Sequence, residues 1–282
     1  MSDKLIIKKP LFNVIKLKII FFIYRIYKSI KDHFGLLERR DYSFQGDRLN
    51  QEQIDRYNNY GDTMGPRYAA SQTKEEVTVS SEYFLYKKIL EKDKKQDLRI
   101  CNVGALYCIS EDYFLKKRPK SIIHCLDFAP FIKINKEFEQ PNLILHPGYP
   151  LDAIEKFARE SNGYMFDYVI FARAATLINQ NEIRSYMAPI SKIAKNIAFL
   201  EVAQAILVDQ RKLDIRKISL NEPYKLYGSM VIHNYPKLIE SFDYKVVDAE
   251  ILPPNAFNID YGAFCYWVYV MGTKKDALGN NN

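Results

Sequence analysis

The sequence has few of the residues that build metal sites or disulfides. Its 282 residues include only four cysteines and four histidines. No two cysteines have Cys-x-x-Cys spacing and the histidines are dispersed, so the sequence predicts no metal site. The cysteines lie in or beside apolar runs typical of strands, which favours buried, reduced thiols in a cytoplasmic protein.

The amino-terminal region also lacks an apolar run long enough to cross a membrane. Within residues 10–31, Lys18 and Arg25 leave only six uncharged residues between them. A membrane-spanning helix needs about 20. No small-residue cleavage site of a secretory signal peptide follows the apolar residues. We therefore expect neither a membrane-spanning anchor nor a signal peptide.

Positive charge is concentrated at the amino terminus. The chain has a net charge of +7, and residues 1–40 hold ten Lys and Arg against three acidic residues, so the remainder is neutral overall. At helical spacing, residues 10–31 place Leu, Ile and Phe on one face and Lys and Arg on the other. This pattern predicts a basic amphipathic helix on an anionic membrane surface. Packing on the chain's own domain or on a second subunit is the alternative. No nucleic acid is expected as a partner, since such binders usually carry their basic surface on the folded domain.

Residues 41–79 are polar and rich in tyrosine. The segment is too aromatic for a free linker, so we expect a cap folded over the domain that follows. A lid that faces the substrate is the alternative. Residues 80–275 are predicted to form the main domain, and residues 276–282 a flexible tail.

Beyond residue 80, apolar runs alternate with helical segments. This is the rhythm of a parallel, doubly wound sheet. The runs that suit buried strands are 98–103, 121–126, 142–146, 167–172 and 196–202. Two further runs, 244–251 and 263–271, are joined by a loop with no room for a crossover helix, so they are expected to be antiparallel. The sequence thus predicts an α/β fold with a doubly wound, mostly parallel seven-stranded sheet.

The first of these runs ends in a glycine turn. Residues 98–101 lead into Asn102-Val-Gly104, and a helical segment follows. Strand, glycine turn and helix together form a common site for nucleotide-like ligands, because glycine lets a ligand approach the main chain. The second run ends at Asp127, where a carboxylate normally binds a ribose diol. An ordinary turn at a strand end is the alternative for Gly104.

The order and spacing of these segments resemble the class I S-adenosylmethionine-dependent methyltransferases over roughly residues 80–273. The patterns that carry the resemblance are Ile100-Cys-Asn-Val-Gly104 for the first motif, Leu126-Asp127-Phe128 for the second strand, Asn142–Asp152 for the third strand and adenine loop, Phe166–Arg173 for the fourth strand, Asn234–Val247 for a late helix and sixth strand, and Tyr266–Lys275 for the closing strand. The departures from the family pattern are Asn102 for the usual acid, Leu106 and Cys108 for glycines, and Tyr149 where an Asp often meets the adenine amine.

The resemblance implies a Rossmann-like methyltransferase fold with S-adenosyl-L-methionine as cofactor. Asp127 would accept hydrogen bonds from the ribose hydroxyls, and Gly104 and Ala105 would present their backbone to the methionine half. The residues expected around the cofactor are Asn102, Gly104, Ala105, Asp127, Phe128, Gly148, Tyr149 and Phe171. On the acceptor side, Arg173 and Tyr235 are expected to bind the substrate. His233, at the start of a helix predicted over residues 233–242, is the candidate general base for a hydroxyl acceptor, with a structural role as its alternative.

The resulting functional hypothesis is a cytoplasmic methyltransferase associated peripherally with the inner face of a membrane. It would methylate a small molecule, a glycan or a lipid-linked precursor, with a homo- or hetero-oligomer as a possible state. The alternative is a catalytically inactive methyltransferase-like subunit that binds a partner protein through its N-terminal helix. The loss of glycine at positions 106 and 108 favours that alternative.

Overall fold

The computed structural model describes residues 46–59, 62, 81–106, 108–129, 132, 140–205, 224–227, 230–252, 256 and 265–278. The amphipathic helix predicted for residues 10–31 lies outside them. So do most of residues 206–229 and the last four residues of the predicted tail. Of the predicted cap, only residues 46–59 and 62 are described.

Nine strands lie in the described part of the chain. They are β1 (Arg99–Val103), β2 (Ile122–Asp127), β3 (Leu143–Pro147), β4 (Phe166–Ala172), β5 (Ala194–Ala205), β6 (Tyr224–Tyr227), β7 (Met230–His233), β8 (Tyr244–Leu252) and β9 (Cys265–Lys274). Seven of them form one sheet in the order β3-β2-β1-β4-β5-β9-β8, and β6 pairs with β7 in a separate hairpin. Strand β9 is antiparallel to both β5 and β8, whereas the other neighbours in the large sheet are parallel. The predicted fold class and antiparallel closing pair are confirmed.

Helices cover both faces of this sheet. Those described are α1 (51–59), α2 (Ser81–Lys92), α3 (Ile109–Lys117), α4 (Pro150–Glu160), α5 (Gln180–Ile193) and α6 (Tyr235–Glu240), with short 3-10 helices at Ala175–Leu177 and Asp276–Leu278. Asparagine side chains begin two of them. Asn179 accepts hydrogen bonds from the Asn181 and Glu182 amides, and Asn234 accepts one from the Lys237 amide. These caps satisfy amide groups that the first helical turn leaves without a partner.

Strand β4 shows how the sequence fills the core. All seven of its residues are buried. Val169 and Phe171 belong to the apolar cluster that includes α4, α5 and α6, while Tyr168 and Ile170 belong to the cluster that includes α2 and α3. Alternate residues of a strand point to opposite faces, so a continuous apolar run is required where both faces are covered.

The strand order places a crevice at the carboxyl end of β1. From β1 the chain winds outward to β2 and β3, and then crosses back to β4 on the other side of β1. Such a reversal leaves the loops after β1 and β4 on diverging paths, and open α/β sheets bind ligands in the crevice between them. The described residues contain no group of three or more His, Cys, Asp or Glu suited to a metal ion. None of the described helices has the length and apolarity of a membrane span.

Candidate functional site

Gly104 forms a tight turn at the end of β1. Its φ is +80°, and a Cβ built on it would lie 2.5 Å from the Cβ of Ala174 in the loop after β4. Its amide donates a hydrogen bond of 2.8 Å to the carbonyl of Leu126 at the end of β2. Gly104 is therefore required both by its backbone angle and by the close approach of the β4 loop.

Two later positions of this turn, 106 and 108, have a backbone conformation that favours glycine although neither residue is glycine. Leu106 has φ 47° and Cys108 has φ 53°, both in the left-handed region. For a residue with a side chain this conformation costs about 1–2 kcal/mol. The two departures from the family motif therefore change the side chains at this turn while the backbone remains in the region that glycine favours.

Asp127 faces the same turn from the end of β2. Its side chain is 5% exposed. The Leu106 amide donates to Oδ2 at 2.9 Å, and the Phe128 amide donates to Oδ1 at 2.8 Å. Burial raises the pKa of Asp127 to about 6, although both hydrogen bonds act in the opposite direction. The structure thus brings a buried carboxylate and the β1 turn into direct contact.

Gly148 and Tyr149 form the side of the site that follows β3. Gly148 has φ +134°, its amide donates to the Asp127 carbonyl at 2.9 Å, and a Cβ there would have no neighbour within 4 Å. The Tyr149 ring lies 6.0 Å from that of Phe128 at an interplanar angle of 20°. Its hydroxyl donates to Glu182 Oε1 at 2.6 Å. Burial raises the pKa of Glu182 to about 7.

The described part of the cap lies over these loops. We call residues 46–59 the cap segment. Tyr57 stacks on Phe128 with ring centroids 4.9 Å apart, and its hydroxyl donates to the Leu177 carbonyl at 3.3 Å. Arg48 forms ion pairs with Asp152 and Glu155 of α4. The cap segment therefore contacts the loops at the carboxyl ends of β2 and β4 and the helix after β3.

Two buried side chains hold the loop after β4. Glu201 of β5 is fully buried, and its carboxylate accepts hydrogen bonds from the Ala175 amide at 2.8 Å and the Thr176 amide at 3.3 Å. Burial raises its pKa to about 8. His233 Nε2 lies 3.2 Å from the Ala175 carbonyl and 2.9 Å from the Ile178 carbonyl. Both carbonyls only accept hydrogen bonds, so Nε2 carries the proton and donates it.

Two of the three predicted acceptor residues, His233 and Tyr235, are deeply buried. His233 is the last residue of β7 rather than the start of a helix, and burial lowers its pKa to about 4. With Nε2 used as a donor, only Nδ1 can accept a proton, and the role of His233 as a base stays a prediction. Tyr235 is fully buried with its ring 5.0 Å from Phe199. Arg173, at φ 61°, directly follows β4 and is partly buried.

Two residues predicted to contact the cofactor have partners in the protein interior. Phe171 is fully buried, and its ring stacks on Phe199 at 4.9 Å. The Asn102 amide group donates to Glu111 Oε1, which also accepts the Tyr86 hydroxyl at 2.8 Å. A buried carboxylate, that of Glu111 in α3, thus lies directly beside Asn102. Ala105 is buried in the turn itself.

Sequence patterns alone did not single out Glu111, Glu201, Arg48 and Tyr57 as residues of the site. A signal existed for Glu201, since it is a lone acid near the carboxyl end of the predicted run 196–202, and polar residues at carboxyl ends of strands commonly serve sites. Nothing in the sequence distinguishes Tyr57 from the other tyrosines of the cap. Its position depends on how the cap segment packs on the sheet.

Comparison with known proteins identifies the fold. No protein-family model matches the chain, and no curated protein sequence does. Magnesium protoporphyrin IX methyltransferase from Synechocystis, solved with S-adenosylhomocysteine, is similar at a TM-score of 0.53 and 10% identity over 79% of this chain and 98% of that one. The Burkholderia thailandensis 1,6-didemethyltoxoflavin-N1-methyltransferase is similar at a TM-score of 0.52 and 9% identity, over 82% of this chain and 94% of that one. Human N-acetylserotonin methyltransferase is similar at a TM-score of 0.50 and 14% identity, over 86% of this chain and 61% of that one.

These likenesses, all far below 25% identity, establish the fold alone. The chain has the class I S-adenosylmethionine-dependent methyltransferase fold, as the order of its sequence motifs indicated. The observed sheet order agrees with that assignment.

Proposed function

We propose that this protein is an S-adenosyl-L-methionine-dependent methyltransferase that acts on a small molecule, a glycan or a lipid-linked precursor at a membrane surface. One observation carries the proposal: in a methyltransferase fold, the buried Asp127 carboxylate meets the Gly104 turn through the Leu106 amide. A nucleoside-type cofactor needs a carboxylate and an exposed stretch of backbone at this place. The three similar structures described above contain S-adenosylmethionine or S-adenosylhomocysteine, which supports the same cofactor here.

The residues around the β1 turn fit such a cofactor. Each oxygen of the Asp127 carboxylate accepts one backbone amide and retains acceptor capacity for a ribose hydroxyl. The backbone of Gly104 and Ala105 would lie along the methionine half, and Phe128 against the adenine. Gly148 has open space beside its Cα, so it would allow a planar ring to approach the backbone.

The bound cofactor supplies an electrophilic methyl group, and the protein's contribution is alignment and exclusion of water. The loop after β4, held by Glu201 and His233, would fix the position of the acceptor relative to the cofactor. Arg173 at the start of that loop would bind an anionic group of the acceptor. For a hydroxyl acceptor, Nδ1 of His233 would take the proton as the new bond to carbon forms.

Calorimetric titration with S-adenosylhomocysteine tests the cofactor assignment. We expect micromolar binding by the full chain and at least tenfold weaker binding by Asp127→Asn, because an amide NH₂ would face a backbone N–H. Asp97→Asn is the matched control, since this exposed carboxylate precedes β1 and lies at the amino ends of the parallel strands, opposite to the candidate site. Affinity should also fall below about pH 6, where Asp127 becomes protonated. Absence of binding would leave the inactive, partner-binding subunit as the better hypothesis.

The membrane part of the proposal rests on the charge of residues 1–40 and the amphipathic pattern of residues 10–31. We expect the full chain to sediment with vesicles that contain anionic phospholipid and to stay in solution with zwitterionic vesicles. A truncated chain that lacks residues 1–40 should stay in solution with both. Equal sedimentation of the truncated and full-length chains would contradict the membrane assignment and favour a protein-docking role for the helix.

A further inference from the structure

Tyr57 connects two loops that flank the β1 turn. Its ring stacks on Phe128, just after β2, at an interplanar angle of 5° and a centroid distance of 4.9 Å. Its hydroxyl donates to the Leu177 carbonyl in the loop after β4. Strand β1 lies between β2 and β4 in the sheet, so the Tyr57 side chain spans the carboxyl end of β1. It therefore stands over the crevice to which we assign the cofactor.

There is no room for a third ring between Tyr57 and Phe128 in this arrangement. Two stacked carbon contacts of about 3.5 Å each require a spacing near 7 Å between the outer rings. The observed centroid distance of 4.9 Å is that of a direct ring pair. A purine that stacks on the Phe128 face now covered by Tyr57 must first displace the tyrosine by about one ring thickness.

The attachment of the cap segment is suited to such a movement. Among the described residues, its polar contacts with the domain include the Tyr57 hydroxyl bond to the Leu177 carbonyl, the Arg48 ion pairs with Asp152 and Glu155, and the Leu49 amide hydrogen bond to the Tyr149 hydroxyl at 3.2 Å. The Arg48 side chain is 42% exposed in these pairs. Exposed ion pairs contribute about 0–1 kcal/mol each, so their separation costs little.

From these contacts we propose that Tyr57 is the outer wall of a purine slot whose inner wall is Phe128. The cap segment opens to admit the adenine ring and closes over it, with Tyr57 on the outer face of the purine. This inference rests on the proposed function, and it assigns to the cap a residue that binds the cofactor.

The energetics favour a sandwich over the direct ring pair. An aromatic pair such as Tyr57 and Phe128 contributes about 0.5–1.5 kcal/mol beyond its buried area. Stacking of a base on an aromatic side chain contributes about 1–3 kcal/mol for each ring. Insertion of a purine exchanges one ring pair for two base stacks, so Tyr57 should add to affinity rather than compete with the ligand.

Titration with S-adenosylhomocysteine and with adenosine tests the slot. We expect Tyr57→Ala to weaken both ligands by at least about fivefold, which corresponds to one lost base stack. Tyr57→Phe keeps the ring and loses only the hydroxyl bond to Leu177, so its affinity should stay within about threefold of the parent protein. Tyr164→Ala is the matched control, because Tyr164 is an exposed tyrosine just before β4, at the amino ends of the parallel strands and opposite to the candidate site.

The outcomes separate this inference from the proposed function. If the parent protein binds S-adenosylhomocysteine and Tyr57→Ala binds it equally well or more tightly, Tyr57 is at most an obstacle and the inference is wrong while the cofactor assignment stands. If the parent protein binds neither ligand, the cofactor assignment fails and the purine slot fails with it. A fivefold or larger loss for Tyr57→Ala, with Tyr57→Phe and Tyr164→Ala near the parent value, supports the slot.

Discussion

The Cβ of Ala174 occupies the space into which any side chain at position 104 would project. This contact joins the turn after β1 to the loop after β4, and a Cβ at Gly104 would lie only 2.5 Å from it. At this one contact the two loops that flank the candidate crevice touch, and no volume is left for a side chain at position 104. Small residues on both sides are a condition for this approach.

We expect Gly104→Ala to destabilise the fold by about 2–4 kcal/mol, from the left-handed backbone and from overpacking against Ala174. Chemical denaturation measures this loss. The double variant Gly104→Ala with Ala174→Gly should recover part of it, because the clash is relieved while the backbone strain remains. Gly163→Ala, where a Cβ meets no atom within 4 Å, should change stability by less than about 0.5 kcal/mol. Equal effects of the two glycine substitutions would contradict the proposed contact.

Because Glu201 is buried, we expect an unusual dependence of stability on pH. Burial raises its pKa in the folded protein to about 8, above that in the unfolded chain. The folded state therefore holds a proton that the unfolded state has released between about pH 4.5 and 8, and the contribution of Glu201 falls as the pH rises through that range. The slope is at most about 1.4 kcal/mol per pH unit.

The variant Glu201→Gln has no proton to lose at this position. Urea denaturation from pH 5 to 8 should show the parent protein losing stability relative to Glu201→Gln as the pH rises. Comparison of the two proteins cancels the contributions of other groups. If the parent protein instead becomes more stable relative to Glu201→Gln as the pH rises, the ionised carboxylate is the favoured form in the folded state.

For His124 and His146 we expect the opposite dependence of stability on pH. Nδ1 of His124 and Nε2 of His146 share a hydrogen bond of 3.0 Å, which requires at least one neutral ring. Burial lowers both pKa values, that of His124 to about 4. The unfolded state therefore takes up protons first, and stability falls as the pH drops from about 6.5 toward 4.

We expect the parent protein to lose about 1–2 kcal/mol more than His124→Gln between pH 7 and pH 5, as measured by urea denaturation. The expected loss is this small because both rings are only partly buried. Lys156 and Arg99 add positive charge nearby and strengthen the effect. Identical losses in the two proteins would show that the pair does not govern acid sensitivity.

Arg48 is expected to control local opening of the cap segment rather than overall stability. Arg48→Gln breaks the ion pairs with Asp152 and Glu155 and should cost less than about 1 kcal/mol of global stability. Hydrogen exchange at the Ile54 amide, which donates to the Asn50 carbonyl, should nevertheless become several-fold faster. Arg56→Gln is the control, because it removes an ion pair with Glu52 within the same helix. If both variants exchange at the same rate, the contacts with α4 do not hold the cap.

Much of the fold was accessible from the sequence because its strands are buried on both faces. Residues 168–172 of β4, for example, are continuously apolar and lie between Asp167 and Arg173. The limits of β1 to β4 were therefore predicted to within one position, whereas those of β5 and β9 differ from the prediction by up to three. The glycine turn after β1 and the acid Asp127 that ends β2 could be placed for the same reason, since they mark the ends of such runs. The predicted start of a helix at His233 was wrong, because that residue instead ends the β6–β7 hairpin.

Local patterns alone determined the alternation of elements, the antiparallel closing strands and the position of Asp127 and Gly104 at neighbouring strand ends. They could not reveal that Tyr57 lies on Phe128, that Glu111 supplies the carboxylate beside Asn102, or that Glu201 and His233 hold one loop from two sides. Each of these contacts joins residues distant in the chain, and their meeting depends on strand order and on the packing of loops over the sheet. Periodicity records which face of an element is buried, whereas only the tertiary structure decides which side chain from elsewhere covers it.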